Sequence, residues 1–146
     1  MKTSAKVVVV GGGVVGVSTL YHLAKKGWTD VVLVERKELT SGSTWHAAGL
    51  LPLFNMSYSV GKLHQYSVNF YHQLEKETGQ PVGFSVVSNI RLACNQDRLD
   101  EYLYYASVAQ TVGVDVKFLT PEQVAQAWPM ANTEGLIGAI QHPDDG

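Results

Sequence analysis

The chain has 146 residues, enough for one domain and a moderate core, and 45% of them are apolar against 16% charged, as in a soluble globular protein. A net charge of −2 excludes the basic surface that nucleic acid or anionic lipid would require, so neither a nucleic-acid nor a membrane partner is expected. The single cysteine, Cys94, excludes a disulfide framework and a cysteine-based metal site, and its place at the end of a strand pattern predicts a small buried apolar residue.

The segment Met1 to Lys6 is too short for a signal peptide, and the apolar run behind it is broken by Gly11-Gly12-Gly13. With no arginine-rich presequence ahead of the first strand, a cytoplasmic location is expected, the alternative being the mitochondrial matrix after removal of a presequence. A strand is predicted over Ala5 to Val10 and a helix over Val14 to Lys26, stopped by Gly27. Val14, Val17, Leu20, Tyr21 and Ala24 recur at helical spacing and are expected to face the sheet. His22, on the same helix, is assigned no role. A second strand over Val31 to Val34 is apolar at every residue, as expected of a parallel strand covered on both faces.

Gly11, Gly13 and Gly16 fit G-x-G-x-x-G between this strand and helix, and Glu35 closes the next strand. The chemistry requires each of them. Gly11 permits a tight turn, Gly13 lets backbone approach a pyrophosphate, and Gly16 lets the helix lie against the strand. Phosphates would sit at the helix N-terminus, where free N–H groups and the helix dipole favour negative charge. Glu35 would accept hydrogen bonds from the adenosine ribose, and its charge opposes a 2′-phosphate, an opposition that the neighbouring Arg36 softens.

The loop from Leu39 to Leu51 is rich in small residues and hydroxyls around one Trp-His pair. Ser43 and Thr44 are expected to cap a short helical turn through His46 to Ala48. A helix is predicted from Tyr58 to Thr78, with Val60, Leu63, Ser67, Phe70 or Tyr71, and Leu74 as its stripe and Gly79 as its stop. His64 and His72 could share a face of it. Two histidines without a third ligand make a poor metal site, so both are expected at the surface or its boundary. Ser85 to Ala93 reads as a strand or strand pair. Asn95 caps a helix over Gln96 to Val112, with Leu99, Tyr102, Leu103 and Ala106 on one face. A short strand follows over Asp115 to Leu119. Thr120-Pro121-Glu122-Gln123 starts a helix that stops before Pro129. A last strand over Gly135 to Gln141 leads to a turn at Pro143 to Gly146.

The fold class is therefore α/β: a Rossmann-like FAD/NAD(P)-binding βαβ unit with its loop over residues 1–50, then helices and strands over 51–146 that begin a substrate-domain sheet. A doubly wound sheet needs at least a third parallel strand, and only two segments read cleanly as such, so the sequence is expected to be the N-terminal portion of a longer protein.

The run Glu38-Leu39-Thr40-Ser41-Gly42-Ser43-Thr44-Trp45-His46-Ala47-Ala48-Gly49-Leu50 resembles the flavin-attachment segment of the dimethylglycine dehydrogenase and sarcosine dehydrogenase family, in the D-amino-acid-oxidase superfamily. The likeness extends to the glycine turn, Glu35-Arg36, Leu74 to Gly79, Asn89 to Ala93 and Pro143 to Gly146. The resemblance implies FAD held by Gly11, Gly13, Val14, Val15, Gly16, Glu35, Arg36, Gly42, Ser43, Thr44, Trp45, His46, Ala47, Ala48, Gly49 and Leu50, with His46 bonded to the flavin 8α-methyl. It implies oxidation of N-methyl amino acids such as dimethylglycine or sarcosine by hydride transfer to flavin. Tetrahydrofolate would be a partner of a C-terminal domain, and these residues alone would be inactive. Arg91 is a conceivable partner for a substrate carboxylate but is more simply a surface or structural group. An NAD-dependent dehydrogenase would share the glycine motif but continue as a plain half-fold without the Trp-His loop. A regulatory relative, the regulatory subunit of pyruvate dehydrogenase phosphatase, would share the fold without Thr-Trp-His.

Overall fold

The computed structural model describes residues 3–53 and 55–146; Met1 and Lys2 of the short N-terminal segment, and Phe54, lie outside the described residues. The chain divides into two compact units, Met1–Gly49 and Leu50–Gly146.

The first unit is a βαβ element. Strand β1 (Val7–Val10) pairs in parallel with β2 (Val31–Val34), Val7 opposite Val31 and Val10 opposite Val34, and helix α1 (Val14–Lys25) makes the crossover. Gly27 takes a left-handed φ of +85° just past the helix, as the sequence predicts. The covering of this unit differs from expectation. No residue of α1 is buried: Leu20 and Tyr21 are half-buried, while Val14, Val17 and Ala24 are exposed. Val34 is exposed too, and Val10 is 83% exposed. Two strands present too narrow a surface to bury one face of a helix.

The second unit is an antiparallel sheet with helices on both faces. Helix α2 (Tyr58–Thr78) ends on Gly79, left-handed at φ +69°. Strand β3 (Asn89–Ala93) is followed by α3 (Gln96–Val112), β4 (Lys117–Leu119), α4 (Pro121–Ala127) and β5 (Gly138–His142). The last strand is central, in the order β3-β5-β4. Successive residues of a strand face opposite ways, so β5 serves two cores. Ile140 joins Ala93, Tyr102, Tyr105, Ala106, Ala109, Val112 and Val114 under α3. Ala139 joins Val124 of α4 and Leu136 on the other face.

Several expected faces are rotated or shortened. The buried residues of α2 are Gly61 and Val68; Val60 and Leu63 are exposed. Its Lys62 Nζ and Gln65 Nε2 donate to the Val112 carbonyl, 3.1 and 2.6 Å away, satisfying the end of α3. On α3 Tyr105 takes the place expected for Leu103, which is exposed. The strand expected from Ser85 begins only at Asn89, because Ser88 adopts a left-handed φ of +72°. The last strand starts at Gly138 rather than Gly135, which turns at φ +73°. Cys94 is exposed, since the side chain beyond the end of β3 points away from both cores.

Candidate cofactor site

At the C-terminal ends of the two parallel strands lies a cleft of about 380 Å³ lined by Val10, Gly11, Val34, Glu35 and Arg36. Gly11 turns the chain with φ +106°, and its N–H donates to the Val34 carbonyl at 2.8 Å, tying the turn to the second strand. A Cβ on Gly16 would overlap the Gly11 carbonyl oxygen, so hydrogen at position 16 is what lets α1 start directly from the turn. Val14 and Val15 stand exposed in the first turn, which carries no acidic residue, leaving the positive end of the helix uncompensated.

Glu35 is held from two sides. Its Oε2 accepts from the Gly12 N–H at 2.7 Å and its Oε1 from the Lys37 N–H at 2.9 Å. These bonds, the Gly12 one foremost, hold its carboxyl below the usual carboxylate range, so it is charged at neutral pH. A carboxylate offers about four lone-pair sites, so two remain for hydroxyls in the cleft. Gly12 is a residue that the motif reading passed over. It is buried, and a Cβ there would come within 2.6 Å of Leu39 and 3.1 Å of Glu35. The middle glycine of a three-glycine run, unused by G-x-G-x-x-G, was the available signal.

The hydroxyl-rich loop folds into a 3₁₀ turn, Ser43–His46. It ends two residues short of the expected Ala48, and neither Ser43 nor Thr44 caps it with a side chain; Gly42 is the cap. The Thr44 hydroxyl is used elsewhere: Oγ1 accepts from the Val14 N–H of α1 at 2.9 Å. His46 is exposed at the end of the turn, its Nδ1 3.0 Å from the Gly42 carbonyl oxygen and its ring 3.9 Å, centroid to centroid, from that of Trp45. Ala47, Ala48 and Gly49 follow, all exposed, with Gly49 at φ +81°. Leu50, also exposed, opens the second unit.

Away from the cleft, the second unit buries its own polar cluster. The Arg91 guanidinium lies 5.0 Å from the centroid of the Tyr105 ring, and His142 meets that ring edge-on at 5.3 Å. His142 is 1% exposed, and neither of its ring nitrogens has a hydrogen-bond partner among the described residues. Burial, then the Arg91 charge, pushes its pKa down to about 4. Burial pushes Tyr105 up to about 12 and Asp145 above its ordinary value. Asp145 is a fastening point. Its Oδ1 accepts from the Leu53 N–H at 2.8 Å, and its carbonyl accepts from the N–H groups of Val87 and Ser88. His64 is half-buried and the exposed His72 packs edge-on against Phe84. Among the described residues no group of three or more His, Cys, Asp or Glu could hold a metal ion, and no helix is long and apolar enough to cross a membrane.

A parallel βαβ unit with a glycine turn, an uncompensated helix start and a carboxylate at the end of the second strand defines a dinucleotide-binding α/β protein. The chain belongs to the FAD dependent oxidoreductase (DAO) family, which it matches over residues 6–146. It is 43% identical to the mitochondrial dimethylglycine dehydrogenase of Rattus norvegicus over 145 residues, covering 99% of this chain and 17% of that protein. It is 40% identical to the mitochondrial sarcosine dehydrogenase of Homo sapiens, covering 100% of this chain and 16% of that one. Among solved structures, L-proline dehydrogenase from P. horikoshii superposes with a TM-score of 0.92 at 25% identity, over 100% of this chain and 38% of its own. The chain thus spans about a sixth of the length of these curated relatives, whose names place them in mitochondria; the expected cytoplasmic location has no support among them.

Proposed function

We propose that these residues form the FAD-binding part of an amine oxidoreductase that oxidises N-methyl amino acids such as dimethylglycine or sarcosine. The observation that carries the reading is the family match over residues 6–146 together with the identity to two dehydrogenases of that substrate class. FAD supplies the oxidising chemistry by accepting a hydride equivalent from the carbon next to the amine nitrogen. The residues present fit it. Gly11, Gly13, Val14, Val15 and Gly16 would take the pyrophosphate on the start of α1, and Glu35 the ribose, beside Arg36. Gly42 to Leu50 would run along the flavin side. Tetrahydrofolate belongs to the same proposal only through residues beyond these, and so does a substrate domain continuing from residues 51–146.

His46 is proposed as the covalent anchor. Its Nδ1 faces a carbonyl oxygen, which can only accept, so Nδ1 carries the proton. The Nε2 lone pair is then the one available to bond the flavin 8α carbon. Forming that bond would release one methyl proton and the imidazole proton. Such a link would hold the flavin in place, and making it would require a two-electron oxidant such as dioxygen to take up the two electrons with those protons.

Acid precipitation tests the reading. A yellow pellet from the intact protein, colourless for His46→Ala, is expected, with bleaching of the bound flavin by dimethylglycine or sarcosine under anaerobic conditions. Acid-soluble FAD would remove the covalent anchor alone. FAD bound without bleaching by any methylated amine would favour a regulatory relative, and no flavin at all an NAD-dependent enzyme.

A further inference from the structure

The second unit has a cleft of its own, on the sheet face that α4 covers in part. It measures about 320 Å³ and is lined by Val87, Ser88, Ile90, Ala127, Trp128 and Gln141. That size, with mostly apolar walls and a few polar groups, suits a small molecule. Trp128 ends α4 half exposed, and no ring or cation packs on its indole among the described residues. Ser88 forms the polar corner. Its φ of +72° is a backbone that a non-glycine residue keeps only where its surroundings hold it. Two bonds hold it: the Ser88 N–H donates to the Asp145 carbonyl at 2.9 Å, and Gln141 Nε2 donates to Ser88 Oγ at 3.0 Å. Gln141 Oε1 is left without a donor among the described residues. Across the sheet Gln141 lies opposite Ile90 of β3 and Lys117 of β4. Opposed residues share a face and neighbouring strands lie about 4.8 Å apart, so the exposed Lys117 stands next to Gln141 on the cleft side. Lys117 has no carboxylate partner among the described residues.

These groups suit one kind of molecule. An indole face attracts a cation, and most strongly one that gives up its water easily, as an ammonium carrying methyl groups does. An amide oxygen accepts from an N–H left on that ammonium. A lysine one strand away takes a carboxylate. The lining itself carries no charged residue, so no acid in it competes for the lysine. We propose that this cleft binds a small N-methylated amino acid as its zwitterion, with the methylated ammonium against Trp128 and Gln141 and the carboxylate towards Lys117. An unmethylated amino acid keeps a strongly hydrated ammonium and gains less from the indole. The substrate class rests on the amine-oxidoreductase reading above, whereas the cleft and its groups do not.

The test is calorimetric titration of the intact protein with N,N,N-trimethylglycine, which has no nitrogen lone pair and is therefore not oxidised as an amine. The probe should bind wild type, and bind Trp128→Leu about tenfold more weakly, with Trp128→Phe in between. Lys117→Met should weaken it about threefold, as expected of an exposed charge pair. Met130→Ala, two residues beyond the indole and 90% exposed, should bind as wild type does. Glycine, which has the carboxylate without the methyl groups, should bind wild type about tenfold more weakly than the probe. No binding to wild type overturns the proposal, and so does wild-type affinity in Trp128→Leu, which would put the probe elsewhere. Glycine binding as tightly as the probe also overturns it, since the methyl groups would then count for nothing. Should Trp128→Leu fail to fold, Lys117→Met decides, and an unchanged affinity there refutes the site. A protein without flavin would remove the FAD reading, while the titration, which needs no flavin, would still decide the cleft.

Discussion

A methyl group on residue 16 has nowhere to go, because the Gly11 carbonyl oxygen occupies that space. Backbone rather than a flexible side chain would have to move, so Gly16→Ala should cost about 3 kcal/mol or abolish folding of the first unit. Urea denaturation with FAD titration checks this, and Gly13→Ala, which meets only a side-chain oxygen, is the milder comparison. Glu35 shows how far a single residue can be read. Its charge and its place after the second strand were legible, because the spacing follows from the length of a βαβ unit. Its two backbone amide partners were not, because they come from Gly12 across the turn and from Lys37 beyond it. Thr44 was read as a local cap for the same reason: the hydroxyl prefers the nearest free amide in sequence, and the fold brought a better one from α1.

The elements with strong end signals formed where the sequence put them. Asn95 Oδ1 accepts from the Arg98 N–H at 2.9 Å, and Thr120 and Gln123 form a reciprocal capping box with Pro121 at the first position. Asn95→Ala should lower stability by about 1 kcal/mol and Thr120→Ala by about 1–2 kcal/mol, both measurable by urea denaturation. A loss below a few tenths from Thr120→Ala would mean that Pro121 alone sets the start of α4. Helix faces were read less well. On α3 Leu99, Tyr102 and Ala106 do face the core, but the exposed Leu103 and Tyr104 compete there with Tyr105, Ala109 and Val112, which are buried. Which row turns inward depends on where the β3-β5 pair lies, and no local pattern contains that. On α2 a glycine is one of the two buried residues and a glutamine bonds the end of α3, so apolarity misplaced the stripe.

For the molecule as a whole, the buried cluster of the second unit predicts its response to acid. His142 folds neutral with a pKa of about 4 against an ordinary 6.5. The unfolded chain therefore binds its proton first. The contribution is complete above about pH 6.5 and is lost as pH falls towards 4, by up to roughly 3 kcal/mol at 1.36 kcal/mol per pKa unit. Asp145, raised by burial, works the other way, its folded form taking up a proton more readily than the unfolded one as pH falls towards its ordinary 3.8. His64 of α2, Arg91 of β3 and Asp144 face the same cluster. Denaturation between pH 7 and 4 should show His142→Phe with a flatter profile than wild type. Equal slopes would mean that another group governs the acid response.

The sequence by itself determined the βαβ unit, the glycine turn, the acid that follows it, the caps of α3 and α4 and the family, because each rests on a few residues at short, fixed spacing. The tertiary structure alone decided that β5 lies at the centre of its sheet, that Cys94 faces solvent while His142 is buried, and that Thr44 serves α1 rather than its own turn. Those outcomes depend on which distant segments share a surface, and burial and hydrogen bonding are settled there by neighbours in space, not in sequence.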